Sequence, residues 1–241
     1  MELCTTRAII LRQIKYSESS LIIKAYTEQS GLQSYLLKGI RKRNGKTGMA
    51  VVQPMALVRL VSSSSLKSDL KMIREIYTET PYYSVPFDPI KSGVLVFLNE
   101  ILNQVLLEEV SNAVLFSFLF HSLEFFDQYE DSVANFHLLF LLQLSKYLGF
   151  FPKNNYDDTH PWFDLTQGEF TSYKSSQEQK EEVAAALSRL LSTGYSDLPS
   201  LWVPHPIRAS LNALLLDYYQ YHVPGFREVK SLEVLRMILS D

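Results

Sequence analysis

The hydrophobic period changes once along the chain, near residue 80. Before that point apolar residues come in short runs separated by polar or glycine-bearing turns. Residues 7–14, RAIILRQI, are rich in large aliphatics and lead into the polar connection Lys15-Tyr16-Ser17-Glu18. In residues 20–27, SLIIKAYT, Leu21, Ile23 and Ala25 alternate with Ile22, Lys24 and Tyr26, the period of two that gives a strand two different faces. Glu28-Gln29-Ser30-Gly31 predicts a turn, with Gly31 suited to a positive φ. Further strands are predicted over Leu32–Lys38 and over residues 51–61, where Pro54 belongs at a start, an edge or a bulge. Residues 66–77 fit a helix period as well as a strand. A fifth strand is the better reading, because short antiparallel strands need a closed or covered edge and five of them can close a barrel.

After Pro81 the period becomes helical. Residues 93–110, the segment after Ser111, and residues 133–148 carry wide apolar surfaces, containing Phe116, Phe118, Phe120, Phe125, Phe126, Phe136 and Phe140. Surfaces that broad must pack together rather than face water. Ser111 and Asp131 are candidate caps for the second and third of these helices. Ser176 with Gln179 predicts a capping box for a helix ending at Leu191, Pro206 opens a helix to His222, and Ser231 starts a short last one. The expected class is therefore α+β, with a strand-rich head over residues 1–80 and a helical remainder over residues 81–241.

Charge sharpens this division. Residues 1–80 hold 13 Lys/Arg against 6 Asp/Glu, whereas residues 81–241 hold 10 against 20. A head of net +7 beside a remainder of net −10 suits a polyanion for the first part and another task for the second. Mutual attraction of the two parts is the plainer alternative. The single Cys4 forbids an internal disulfide framework and a cysteine-rich zinc site. No leader pattern and no run of apolar residues long enough for a membrane span is present, so a soluble cytoplasmic protein is expected.

The densest charge lies in Lys38, Arg41, Lys42, Arg43 and Lys46, interleaved with Gly39 and Gly45. The stretch resembles a phosphate-binding P-loop but has five residues, not four, between the first Gly and GKT, and no helix signal follows. A flexible basic loop that follows a phosphate backbone is the better reading. Tyr16, Tyr26 and Tyr35 are candidate stacking platforms for unpaired bases, although tyrosines in a small barrel serve equally as core.

Catalysis finds less support. Asp157, Asp158, His160 and Asp164 could ligate a metal, but their spacing defines no helix face, and a solvated loop explains them as well. His121 and His137 sit in apolar helices, where satisfied core histidines are the commoner case. The chain contains neither G-x-S-x-G nor H-E-x-x-H. A phosphoryl-transfer enzyme or nuclease, using the glycine-rich basic loop or the acidic central segment, is the alternative to a binding protein. A scaffold docking an acidic protein on the positive head is a third reading.

Three stretches then occur in the order and spacing of one family: RAIILRQIKYSESSLIIKAYTEQSGLQSYLLKGIRK, LLQLSKYLGFFP with FDLTQGEF, and HPIRASLNALLLDYYQYHVPGF with KSLEVL. On these residues the chain resembles the bacterial RecO recombination mediators. The resemblance implies a five-stranded OB-fold barrel joined to an all-helical carboxy-terminal domain. It implies a nonenzymatic protein of DNA repair and homologous recombination that binds single- and double-stranded DNA and anneals complementary strands. Its implied partners are RecR, the acidic phenylalanine-ended tail of single-strand binding protein and, indirectly, RecA. Many similar proteins hold zinc with four cysteines after the central helices. The corresponding stretch here has none, so packing by Phe150, Phe151, Trp162, Phe163, Leu165 and Phe170 is expected in its place, with no cofactor. For the tail peptide, the helix from Pro206 to His222 offers Ile207, Leu211, Leu214, Leu215 and Tyr218 on a packing side and Arg208, Asn212, Tyr219 and His222 opposite. Arg208, Leu215, Tyr219 and His222 are the candidate peptide contacts, with Arg208 on the terminal carboxylate.

Overall fold

In the computed structural model, residues 3–39, 49–65, 68–174 and 180–239 are described. The strands are β1 (Leu3–Lys15), β2 (Ser20–Thr27), β3 (Gly31–Lys38), β4 (Leu57–Ser65) and β5 (Ser68–Thr80). They close a barrel in the order β1-β2-β3-β5-β4, sealed by pairing of β1 with β4. Neighbours run antiparallel except β3 and β5, which meet in parallel through Tyr35 with Lys71 and Leu36 with Met72. Alternation puts Ala8, Ile10, Ile23, Tyr35 and Leu60 into one closed core.

Departures from strict alternation shape this barrel, in β1, before β4 and along the β4–β5 pairing. Between Ile10 and Arg12 the β1 register shifts by one residue, so Arg12 and Ile14 pair with Lys24 and Ile22 and share their outward side. Residues 51 and 52, expected to begin a strand, instead belong to a short 3-10 turn over Met49–Val52 whose Val52 joins the barrel core. Pro54 has no N–H for a ladder, and Met55 follows at φ 68°, so the strand starts only at Leu57.

The helices are α1 (Pro89–Val105), α2 (Ala113–Gln128), α3 (Phe136–Tyr147), α4 (Glu181–Leu191), α5 (His205–His222) and α6 (Leu232–Ile238). The chain forms two compact units, residues 1–88 with 95–128, and residues 89–94 with 129–241. In the first, Phe116 of α2 stacks on Tyr26 at 6.3 Å, and the Arg7 guanidinium lies over Phe116 and Phe120 at 5.6 and 5.0 Å. Helix α1 stops at Val105, short of the expected residue 110, because the chain beyond it turns to the barrel. Leu32 N donates to Glu108 O at 3.0 Å and Ser111 Oγ donates to Glu28 O at 2.9 Å. Gly31 lies under this strap at φ 62°, where a Cβ would come within 2.4 Å of Val110 O and 2.6 Å of Glu108 O. With Ser111 so engaged, Asn112 caps α2, its Oδ1 accepting from Leu115 N at 3.0 Å. At the other end of α2, burial alone would raise the Asp127 pKa, but bonds from the backbone of Tyr83, Val85 and Ser84 and from the Ser84 hydroxyl hold it low.

In the second unit α3 is buried almost all round, from Phe136 through Leu142 and at Leu144, as the mostly apolar run FHLLFLLQL requires, with only Gln143 partly open. A 3-10 turn over Val133–Asn135 precedes it, capped at Ser132 rather than at the expected Asp131 and without a side-chain bond. Tyr219 OH of α5 donates to Leu141 O at 2.7 Å. A two-stranded hairpin, β6 (Trp162–Asp164) with β7 (Glu169–Thr171), interrupts the otherwise helical region. The predicted capping box at Ser176 and Gln179 lies outside the described residues.

Candidate nucleic-acid interface

Six positive side chains of the barrel's first four strands fall into two groups. Arg7 pairs with Glu28 at 2.7 Å, and Arg59 pairs with Glu79. Each bond raises the guanidinium pKa and lowers that of its carboxylate, so these four residues neutralise one another. Arg12, Lys15, Lys24 and Lys38 make no such pair with any carboxylate among the described residues. They gather along β1, β2 and β3, where Arg12 pairs across to Lys24 and Lys38 pairs across to Ser20.

Between these cations runs an apolar row. Ile14, Ile22, Leu36 and Met72 are consecutive partners across β1, β2, β3 and β5, outside the core, and Ile14 is 38% exposed. Arg12 with Lys24 lies on one side of the row and Lys38 on the other. In a five-stranded barrel of this topology the outer surface of the second and third strands is where oligonucleotides bind. An apolar strip flanked by unpaired cations offers a phosphate backbone its counter-charges and offers sugars or bases a surface away from water.

Of the residues singled out from the sequence, Lys38 is exposed at the end of β3, whereas Arg41, Lys42, Arg43 and Lys46 lie outside the described residues. Tyr16 is 65% exposed on the β1–β2 turn. Tyr26 and Tyr35 are corrected: they are 3% and 1% exposed, one under Phe116 and the other in the barrel core, and neither offers a ring to a base. Burial pushes both phenols up to about 12. Arg12 and Lys24 were missed. Their signal was present, since Lys24 alternates with core residues in SLIIKAYT, but placing Arg12 beside it needed the bulge.

The expected peptide contacts on α5 do not form an open surface. Leu215 and Tyr219 are buried, and Asn212 with them, so the helix has two packed sides where one was expected. His222 stacks on Phe150 at 5.3 Å, and its Nε2 lies 2.9 Å from Leu165 O. Arg208 is half-buried, its Nη2 donating to Leu239 O at 2.9 Å, and burial lowers its pKa. Arg208 alone of the four keeps a cation beside solvent.

The acidic central segment is occupied by its own turns. Asp157 Oδ1 accepts from Thr159 N, Thr159 Oγ1 and His160 N, and Asp164 Oδ1 accepts in the same way from Thr166 and Gln167. Among the described residues no three His, Cys, Asp or Glu side chains come together as metal ligands, and no helix is long and apolar enough to cross a membrane.

Comparison with known proteins gives the same answer for both halves of the chain. The family described as recombination protein O, N terminal, matches residues 1–82, and recombination protein O, C terminal, matches residues 86–233. The DNA repair protein RecO of Flavobacterium psychrophilum is 34% identical, over 98% of both chains. That of Bacteroides fragilis is 36% identical over 96% of this chain and 97% of its own, and that of Christiangramia forsetii 37% over 97% and 98%.

Proposed function

The chain belongs to the recombination protein O family, and from that membership we propose that it is a nonenzymatic mediator of DNA repair and homologous recombination. It binds single- and double-stranded DNA, anneals complementary strands, and helps load RecA onto protein-coated single strands together with RecR. The observation that carries the DNA-binding part is the unpaired set Arg12, Lys24 and Lys38 around the Ile14–Ile22–Leu36–Met72 row. Lys15, Tyr16, Arg41, Lys42, Arg43 and Lys46 are proposed as further DNA contacts. Recruitment would use the acidic tail of single-strand binding protein, with Arg208 as its carboxylate partner. The protein works in the cytoplasm and at the nucleoid, without a cofactor.

Annealing fits such a surface because two strands held on one protein, or on neighbouring copies, meet at a high effective concentration without any covalent step. The combined variant Arg12→Ala, Lys24→Ala and Lys38→Ala should bind unrelated single strands more weakly and with a shallower salt dependence. Three lost phosphate contacts reduce the log–log salt slope by about 2. Annealing by the parent should persist in chelator and without nucleotide. Metal-dependent strand cleavage or nucleotide hydrolysis by the purified protein would return the enzyme alternative, and an unchanged salt slope in a folded triple variant would remove this surface from the account.

A further inference from the structure

A cavity of about 480 Å³ opens at one end of the barrel, lined by Gln13, Lys15, Ser17, Glu18, Leu21 and Met49, with Ser20 beside them. Its size falls in the range of small-molecule clefts, about 300–1,000 Å³. It is separate from the outer strand surface, since Gln13 and Lys15 pair with the core-facing Ile23 and Leu21. The β1–β2 turn forms one wall and the 3-10 turn over residues 49–52 contributes Met49 opposite.

The lining has two chemical characters. Leu21 and Met49 supply apolar surface, whereas Gln13 brings an amide whose Oε1 is buried without a hydrogen-bond partner among the described residues. A buried acceptor without a partner costs free energy, which rotation of the half-buried Gln13 amide towards a donor in the cavity would relieve. Lys15 and Glu18 are both exposed at the same opening, so a phosphate is drawn to its Lys15 side. A ligand that suits this set is flat and apolar on its faces, carries N–H donors on one edge, and is attached to a negative charge that stays outside.

We propose that this cavity receives a single unstacked nucleobase of a DNA strand lying on the outer surface, with the Gln13 amide on the base edge and Lys15 near its phosphate. The proposal rests on the DNA-binding reading above and adds a place for one base to leave the stack. Continuity of the two surfaces supports it. Ser20, on the cavity rim, is the cross-strand partner of Lys38, and Gly39 N donates to Ser19 O at 2.8 Å, which ties the end of β3 to the β1–β2 turn. A strand passing the Lys24 and Lys38 side chains therefore arrives at the opening. Amide recognition of a base edge, with apolar contact on its faces, is an ordinary mode of reading single strands.

The test compares a deoxycytidine oligomer with a fully abasic oligomer of equal length, binding to the full-length protein. Two variants are used: Gln13→Leu, which removes the amide at similar size, and Met49→Trp, which fills the opening from an exposed position. The parent should bind the base-bearing oligomer about five- to tenfold more tightly than the abasic one. Both variants should narrow that gap and leave the salt slope of the abasic oligomer unchanged. Equal binding of the two oligomers by the parent, or an undiminished gap in both folded variants, overturns the base site while the DNA-binding reading stands. Failure of the parent to bind any oligomer overturns that reading as well. Free deoxycytidine monophosphate that binds the parent without any base dependence in the strand would make this a mononucleotide site, and would also overturn the proposal.

Discussion

His137 lies on α3 almost wholly buried, and burial, with Arg208 adding repulsion, lowers its pKa from 6.5 to about 3. The folded protein therefore keeps this imidazole neutral while the unfolded chain protonates it below pH 6.5. Its contribution is complete above pH 6.5 and is lost as pH falls towards about 3. At pH 5 the loss is about 2 kcal/mol. Urea unfolding at pH 7 and pH 5 should show this drop in the parent and a smaller one in His137→Met, and equal drops would remove His137 from the acid response. At this scale the sequence was only partly legible. The apolar helix around His137 announced a core histidine, but the type of Tyr26 and Tyr35 said nothing about which side of a strand would be covered. Tyr26 points outward from the barrel and is covered by Phe116, ninety residues on in the sequence, which stacks on it.

Among the elements, the turn between β2 and β3 shows how one glycine joins local and distant structure. Gly31 is read from sequence as a turn residue, and its φ of 62° agrees. The strap Glu108–Val110, which also needs Gly31 to lack a side chain, is not readable there, because two carbonyls and one backbone N–H carry no sequence signal. Gly31→Ala meets both obstacles, left-handed backbone and contact with the strap, and should cost more than about 1 kcal/mol. Thermal unfolding of that variant, beside Gly39→Ala at a positive φ with open space around it, separates the two causes. If both variants lose the same stability, the strap contributes nothing. Strands β2 and β3 are legible from period alone and β5 only once barrel closure is required, whereas residues 51 and 52 read as strand because VVQPMALV is mostly apolar. Tertiary filling of the barrel end outweighed that local preference.

For the whole molecule, the charge division seen in composition is real, but it passes through a chain whose compact units do not follow it. Residues 95–128 belong with the barrel, and residues 89–94 with the remainder. A fragment of residues 1–80 keeps all five strands yet lacks Phe116, Phe120 and Asn103, which cover Tyr26, flank Arg7 and bond to Leu11 O. A fragment of residues 1–128 should therefore show a higher melting temperature than residues 1–80 and slower exchange of β1 amides. Equal stability would mean that the barrel closes without its helices. The same division has a consequence during synthesis. A ribosome releases the barrel sequence before α2 exists, and residues 81–128 take roughly 2–10 s to add at about 5–20 residues per second. Through that interval the nascent head carries Tyr26 without the Phe116 ring over it and the Leu11 carbonyl without its bond from Asn103. Translation speed just past residue 80 thus sets how long a sticky, half-clothed barrel is offered to its neighbours in the cell.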